Sequence, residues 1–184
     1  MTRLTALNRD QASSRSKELF DGIQAKLGTV PNMMRTMGNS SAVLEGYLNL
    51  SESLSKGGLG SKMGELIAMT VAEANACDYC LSAHAYIGTK LAGIEAEELN
   101  ASRDAQHNDP KVEAGLYFAK TLVEKQGKPS FEEVMAVLGA GYTEGEVGEI
   151  IAHVALNILT NYFNNTANTE IDFPKVRANG NAVL

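Results

Sequence analysis

Apolar residues recur at helical spacing along most of the chain, and the two-residue alternation of a half-buried strand is nearly absent. From Arg9 to Leu27 the apolar positions are Ala12, Leu19, Phe20, Ile23 and Leu27, and Gly28 and Pro31 end the run. A second helix is predicted from a cap at Ser40 or Ser41 through Val43, Leu44, Tyr47, Leu48 and Leu54, stopped by Gly57-Gly58. Ser61 is read as the cap of a third, through Met63, Leu66, Ile67, Met69 and Val71. A fourth begins near Cys77 and continues through Tyr86, Ile87 and Leu91 to Gly93. Asp109-Pro110 supplies a cap and a first-turn proline for a helix through Leu116 and Val123, closed by Gly127 and Pro129. Ser130 with Glu133, and Thr143 with Glu146, have capping-box spacing. The last long helix follows through Val147, Ile150, Val154 and Leu159. The pattern predicts an all-α fold of about eight helices.

One stretch echoes another. Gly64-Glu65-Leu66-Ile67-Ala68 matches Gly148-Glu149-Ile150-Ile151-Ala152, and in that register Cys77, Cys80 and His84 fall against Asn161, Asn164 and Asn168. Two related helical hairpins would account for this, as would coincidence, since Asn is common at helix ends. A single domain is expected over 1–184, with its core over about 19–174. The polar tail, 169–184, is expected to pack on the surface or on a neighbouring subunit.

Composition narrows the function. Hydrophobic residues make up 44% and charged residues 21% of the 184 residues, a globular balance. A net charge of -6 argues against nucleic acid or an anionic membrane as partner. The N-terminal stretch Met1 to Glu18 is polar and reads as no signal peptide, and no apolar run is long enough to span a bilayer. A soluble cytoplasmic protein is the expectation.

The chain has two cysteines, Cys77 and Cys80, at a spacing that chance gives to roughly one pair in a hundred. A structural staple has little to do in a reducing cytosol. A helix N-terminus favours thiolate over thiol, and thiolate is the nucleophile. On one helix Cys77, Cys80 and His84 share a stripe, where the imidazole can take or return a proton. Glu65 lies on the preceding helix. A break at Asn75-Ala76 would fold it back onto His84, where a carboxylate would orient the ring. A reactive thiol is expected to be partly exposed. Buried structural cysteines and a zinc site are the alternatives. His107 is at no recognised ligand spacing, and His153 reads as a satisfied core residue. Met33 and Met34 read as core filler, and Tyr79 as either packing or a donor to substrate. No flavin, haem or nucleotide site is visible. Thioredoxin is a poor comparison, because its redox pair belongs to a strand-helix-strand unit and this chain has no tryptophan.

The pattern Glu65, then Cys77-x-x-Cys80-x-x-x-His84, resembles the alkylhydroperoxidase (AhpD-like) branch of the carboxymuconolactone decarboxylase superfamily. Val30-Pro31-Asn32-Met33 and the Leu44 to Leu54 helix look like its peroxidase-related members, and the likeness runs from about Leu19 to Pro174. The resemblance implies an all-helical fold, a homo-oligomer (trimer or hexamer), and peroxide reduction or dithiol exchange with a proton relay from cysteine through His84 to Glu65. An external dithiol or redox partner protein would recycle the enzyme. Tyr79 stands where the best-known members carry a second histidine. Cys80, four residues from His84, is read as attacking thiol and Cys77 as resolving thiol, although Cys77 is nearer the helix N-terminus. A decarboxylase or lactone-processing enzyme, and a non-catalytic redox sensor, are the competing functions.

Overall fold

The computed structural model describes residues 1–179. The end of the expected C-terminal tail, 180–184, lies outside the described residues. Among the described residues nine α-helices follow in order: α1 (Ser14–Leu27), α2 (Asn32–Met37), α3 (Ser41–Leu54), α4 (Gly60–Ala74), α5 (Asp78–Lys90), α6 (Ala96–Ser102), α7 (Pro110–Glu124), α8 (Phe131–Gly139) and α9 (Glu144–Ala167). No strand occurs among the described residues.

Most boundaries follow from local chemistry. Asp109 caps α7 with Pro110 in the first turn, and the capping boxes at Ser130/Glu133 and Thr143/Glu146 start α8 and α9. Other boundaries differ from the sequence pattern. The first α-helix starts at Ser14, capped by Ser13, and Arg9–Gln11 forms a separate 3-10 turn. α2 and α6 have six and seven residues, too short to show a period.

Ser61 does not cap α4. It lies inside the first turn, and the N-cap position is Leu59, with no side-chain cap of its own. The start of the helix is held from elsewhere, because the backbone N–H groups of Gly58 and of the N-cap Leu59 each donate to the Glu149 carboxylate of α9 at 3.0 Å. The second member of the internal echo is likewise not a hairpin. It lies in α9, which runs unbroken for 24 residues to a left-handed cap at Asn168.

α4 is the buried centre of the fold, with Leu66 through Ala74 all buried. It packs against α5, α6, α7 and α9. The chain reverses between α4 and α5 through Asn75 and Ala76. There the N–H of Ala76 donates to the Glu73 carbonyl at 3.0 Å, and that of Cys77 to the Ala72 carbonyl at 2.9 Å. Ala76 takes φ of 47°, a left-handed conformation that costs an L-residue about 1 kcal/mol. After α9 the chain doubles back over α5 as an extended strap, 169–179. Val176 N–H donates to Ser82 Oγ at 2.9 Å, Ala178 N–H to Asp78 at 3.0 Å, and Asn179 N–H to Glu73 at 2.7 Å. Arg103 locks the end of the strap. Its guanidinium meets Glu73 at 2.8 Å, the Arg177 carbonyl at 2.8 Å and Asn179 Oδ1 at 2.9 Å, all near or below the surface.

Candidate active site

The reversal at Asn75-Ala76 brings all four candidate residues together. Cys77 is the N-cap of α5, and its Sγ accepts the backbone N–H of Cys80 at 3.4 Å. Cys80 sits in the first turn, with the two sulfurs 2.8 Å apart in the reduced state. His84 lies one turn further along, and its Nδ1 is 2.8 Å from Glu65 Oε2 on α4. With the proton on Nδ1, the ring donates to the carboxylate and leaves Nε2 for the site. Glu65 therefore reaches His84 as the broken-helix geometry predicts.

Both thiols are buried, Cys77 at 0% exposure and Cys80 at 2%, which corrects the expectation of a partly exposed pair. Access comes from inside instead. Cys80, His84 and Glu65 line a cavity of about 470 Å³, whose wall is otherwise made largely of apolar side chains such as Leu27, Met34, Leu48, Leu156 and Phe173. Met33 and Met34 belong to this wall as well as to the core packing.

The two cysteines are electrostatically unequal. Burial opposes ionisation of Cys80, but the Cys77 S–H, the charge of His84, and the amides of Asn164 and Asn161 outweigh it. Together they bring the thiol down from 9.0 to about 7. Asn164 Nδ2 donates to Cys80 Sγ at 3.3 Å, and Asn161 is held beside it by the amide of Asn75 at 3.0 Å. Cys77 moves the other way. Its hydrogen bond to Cys80, followed by burial, holds its proton far above the usual thiol range. His84 is desolvated, which works against its charged form. The Glu65 carboxylate and the Cys80 sulfur more than compensate, and its pKa is raised. These shifts favour a Cys80 thiolate beside a protonated His84, with Cys77 as the neighbouring thiol that keeps its proton.

The remaining candidates separate clearly. Tyr79 contributes its ring to the cavity, but its hydroxyl donates to Asp172 at 2.9 Å and accepts the Met33 N–H at 3.0 Å. It thereby ties the strap to the start of α2, and its oxygen is not spare for substrate. His107 pairs with Glu98 at 3.0 Å, away from this site. His153 is not a satisfied core residue, because its Nε2 is buried without a partner among the described residues and its ring lines the cavity. Among the described residues no three His, Cys, Asp or Glu side chains converge to hold a metal ion. No helix of the described residues is long and apolar enough to cross a membrane.

The carboxymuconolactone decarboxylase family profile matches residues 41–120, the span from α3 into α7 that holds Glu65, Cys77, Cys80 and His84. The helical framework also superposes on solved structures of peroxidase-related AhpD-core proteins. That span is similar to the carboxymuconolactone decarboxylase family, and the framework around it has the AhpD-like fold. An alkylhydroperoxidase AhpD-core, peroxidase-related protein from Ralstonia eutropha JMP134 shares 22% identity at a TM-score of 0.82, covering 93% of this chain and 92% of that one. A peroxidase-related protein from Silicibacter sp. TM1040 shares 19% identity at 0.80, with coverage of 92% and 91%. A cysteine-to-alanine form of the debrominase Bmp8, in complex with 2,3,4-tribromopyrrole, shares 23% identity at 0.78, with coverage of 94% and 92%. Among curated proteins none matches the sequence. The AhpD-like fold thus extends over nearly the whole chain, while α9 and the strap, which supply Asn161, Asn164, His153 and Asp172, lie outside the family-matched span.

Proposed function

We propose that the protein is a thiol-dependent peroxidase that reduces organic hydroperoxides at Cys80. One observation carries the reading: the thiol brought down to about 7 is the one that lines the apolar cavity, with a second thiol 2.8 Å behind it. The Cys80 thiolate attacks the terminal peroxide oxygen, the O–O bond breaks, and the alkoxide leaves as an alcohol with a proton from His84. Glu65 holds His84 in the tautomer and charge state that this needs. Cys77 then displaces hydroxide from the Cys80 sulfenic acid, which departs as water, and a Cys77–Cys80 disulfide forms. An external dithiol or a redox partner protein returns two electrons by exchange. A reducing, cytoplasmic setting and a homo-oligomeric state belong to the same proposal. Exposed Tyr117, Phe131, Met135 and Tyr162 favour burial of an outer face against other copies.

A second reading has the apolar cavity in its favour, together with the debrominase among the structural neighbours. The Cys80 thiolate would take the halogen of an aryl halide as a sulfenyl halide while the ring carbon takes a proton, and Cys77 would expel halide as the disulfide forms. The electron count is the same, so the dithiol serves either substrate.

The test is consumption of cumene hydroperoxide with excess dithiothreitol by wild type, Cys80→Ser and His84→Ala. Sustained turnover that is lost in the first variant and depressed in the second supports the peroxidase. One oxidation without turnover leaves a redox sensor. Turnover only of a bromopyrrole selects the dehalogenase. A decarboxylase-like acid-base reaction would survive replacement of both cysteines.

A further inference from the structure

The cavity that opens onto Cys80 also takes His153 of α9 into its wall. Its side chain is one the thiol chemistry leaves unused. His153 is 9% exposed, and Nε2 is buried with no hydrogen-bond partner among the described residues. A buried polar atom left in this way costs about 1–3 kcal/mol, so it points to a group that completes it.

The fold makes specific room for this ring. Gly64 of α4 faces it, and a Cβ at that position would lie 3.0 Å from His153 Cε1. The same turn of α4 carries Glu65, so one backbone segment seats His153 and, with the next residue, holds His84. From α9, Asn157 Nδ2 donates to the His153 carbonyl at 2.9 Å, which fixes the backbone beneath the ring.

Charge limits what can meet the ring. Burial lowers the pKa of His153, against the opposing pull of Glu149 and Glu65, so the ring is neutral and offers one N–H and one bare nitrogen. Two carboxylates acting on the same ring disfavour an anionic ligand. An uncharged oxygen suits the ring: a hydroxyl can meet Nε2 in either tautomer, and a carbonyl can accept from it when it carries the proton. The cavity of about 470 Å³ is larger than hydrogen peroxide requires and is mostly apolar between its polar groups.

We propose that His153 is a specificity-determining residue that binds an uncharged oxygen of the substrate, and that the preferred substrate is an apolar-bodied hydroperoxide carrying a hydroxyl or carbonyl apart from its O–O bond. The substrate class rests on the peroxidase reading above; the docking role of His153 does not. The peroxide end meets Cys80 and His84, and the second oxygen meets His153. Held at both ends, the substrate presents its O–O bond to the sulfur in one orientation.

Three matched probes test this: cumene hydroperoxide and its para-hydroxymethyl and para-carboxylate derivatives. In wild type, kcat/KM for the hydroxymethyl compound should exceed that for the parent by about tenfold, the worth of one neutral hydrogen bond, and the carboxylate should be worst. His153→Phe should bring the hydroxymethyl-to-parent ratio to about one, and His153→Gln, which keeps a donor and an acceptor, should retain much of it. Binding of the matching alcohols to wild type and both variants, measured by calorimetry, reads the same preference without any chemistry. Absence of turnover with selective alcohol binding would reject the peroxidase reading and leave the docking role standing. Equal binding of the two alcohols by wild type, or a preference unchanged in His153→Phe, would overturn the docking role. So would a pair of variants whose only change is a lower melting temperature.

Discussion

Asn164 of α9 donates its side-chain amide to the Cys80 sulfur of α5 at 3.3 Å, across 84 positions of sequence. This amide favours a thiolate that burial alone would suppress. The wild-type rate of alkylation at Cys80 should therefore climb through a pH of about 7 rather than 9, as the thiol loses its proton. Asn164→Leu should move that midpoint upward by roughly one pH unit, since a hydrogen bond to a charged group is worth about 1.5–3 kcal/mol. Iodoacetamide kinetics against pH, followed by mass spectrometry of Cys80, measure both midpoints. An unmoved midpoint would mean that Asn164 only packs against the sulfur.

Glu65 and His84 set the other side of the pH profile. The His84 pKa is raised, mainly by the Glu65 carboxylate working against desolvation, so His84 keeps its proton above the usual histidine value and loses it as pH rises. Turnover should follow a bell, rising as Cys80 ionises and falling as His84 deprotonates. Glu65→Gln should shift the falling limb to lower pH and reduce kcat by about a hundredfold. A rate profile from pH 5 to 10, recorded for both proteins, checks the direction.

Cys77 should matter for completion rather than for attack. Its proton is held by the hydrogen bond to Cys80 and then by burial, so it is the poorer nucleophile of the two. Cys77→Ser should consume about one equivalent of hydroperoxide and stop, leaving a sulfenic acid on Cys80 that dimedone labels. Cys80→Ser should give neither the burst nor the label.

The strap depends on a buried ion pair. Arg103 and Glu73 have side-chain exposures of 9% and 7% and meet at 2.8 Å, and both also hold the 177–179 segment. Arg103→Ala leaves the Glu73 charge uncompensated and should cost about 3–5 kcal/mol in urea unfolding. Hydrogen exchange should rise in 176–179 in the same variant.

The all-α class and the four candidate residues were legible because each leaves a local mark. Helix period, capping boxes and the spacing from Cys77 to Cys80 to His84 all lie within a few turns of chain. Asn164, His153 and Asp172 left no such mark. Their roles come from packing α9 and the strap against α5, and an asparagine or histidine on an apolar helix looks the same whether or not it faces a sulfur or a cavity. The internal echo had aligned Asn164 with Cys80, yet an alignment of repeats carries no statement that the two residues touch. α2 and α6 were missed for brevity, and the start of α4 because its cap lies 90 residues away in Glu149.

That distant cap bears on how the protein folds. A helix that supplies its own first-turn acceptor can persist before the rest of the chain arrives, whereas α4 gains the Glu149 carboxylate only after the last helix has docked. Closing so long a loop is entropically slow. The N-terminal end of α4, five residues before Glu65, would therefore settle late, and assembly of the relay would wait on synthesis and docking of α9. A ribosome-bound chain stopped before residue 144 should hold Cys77 and Cys80 without the amides and the helix end that tune them.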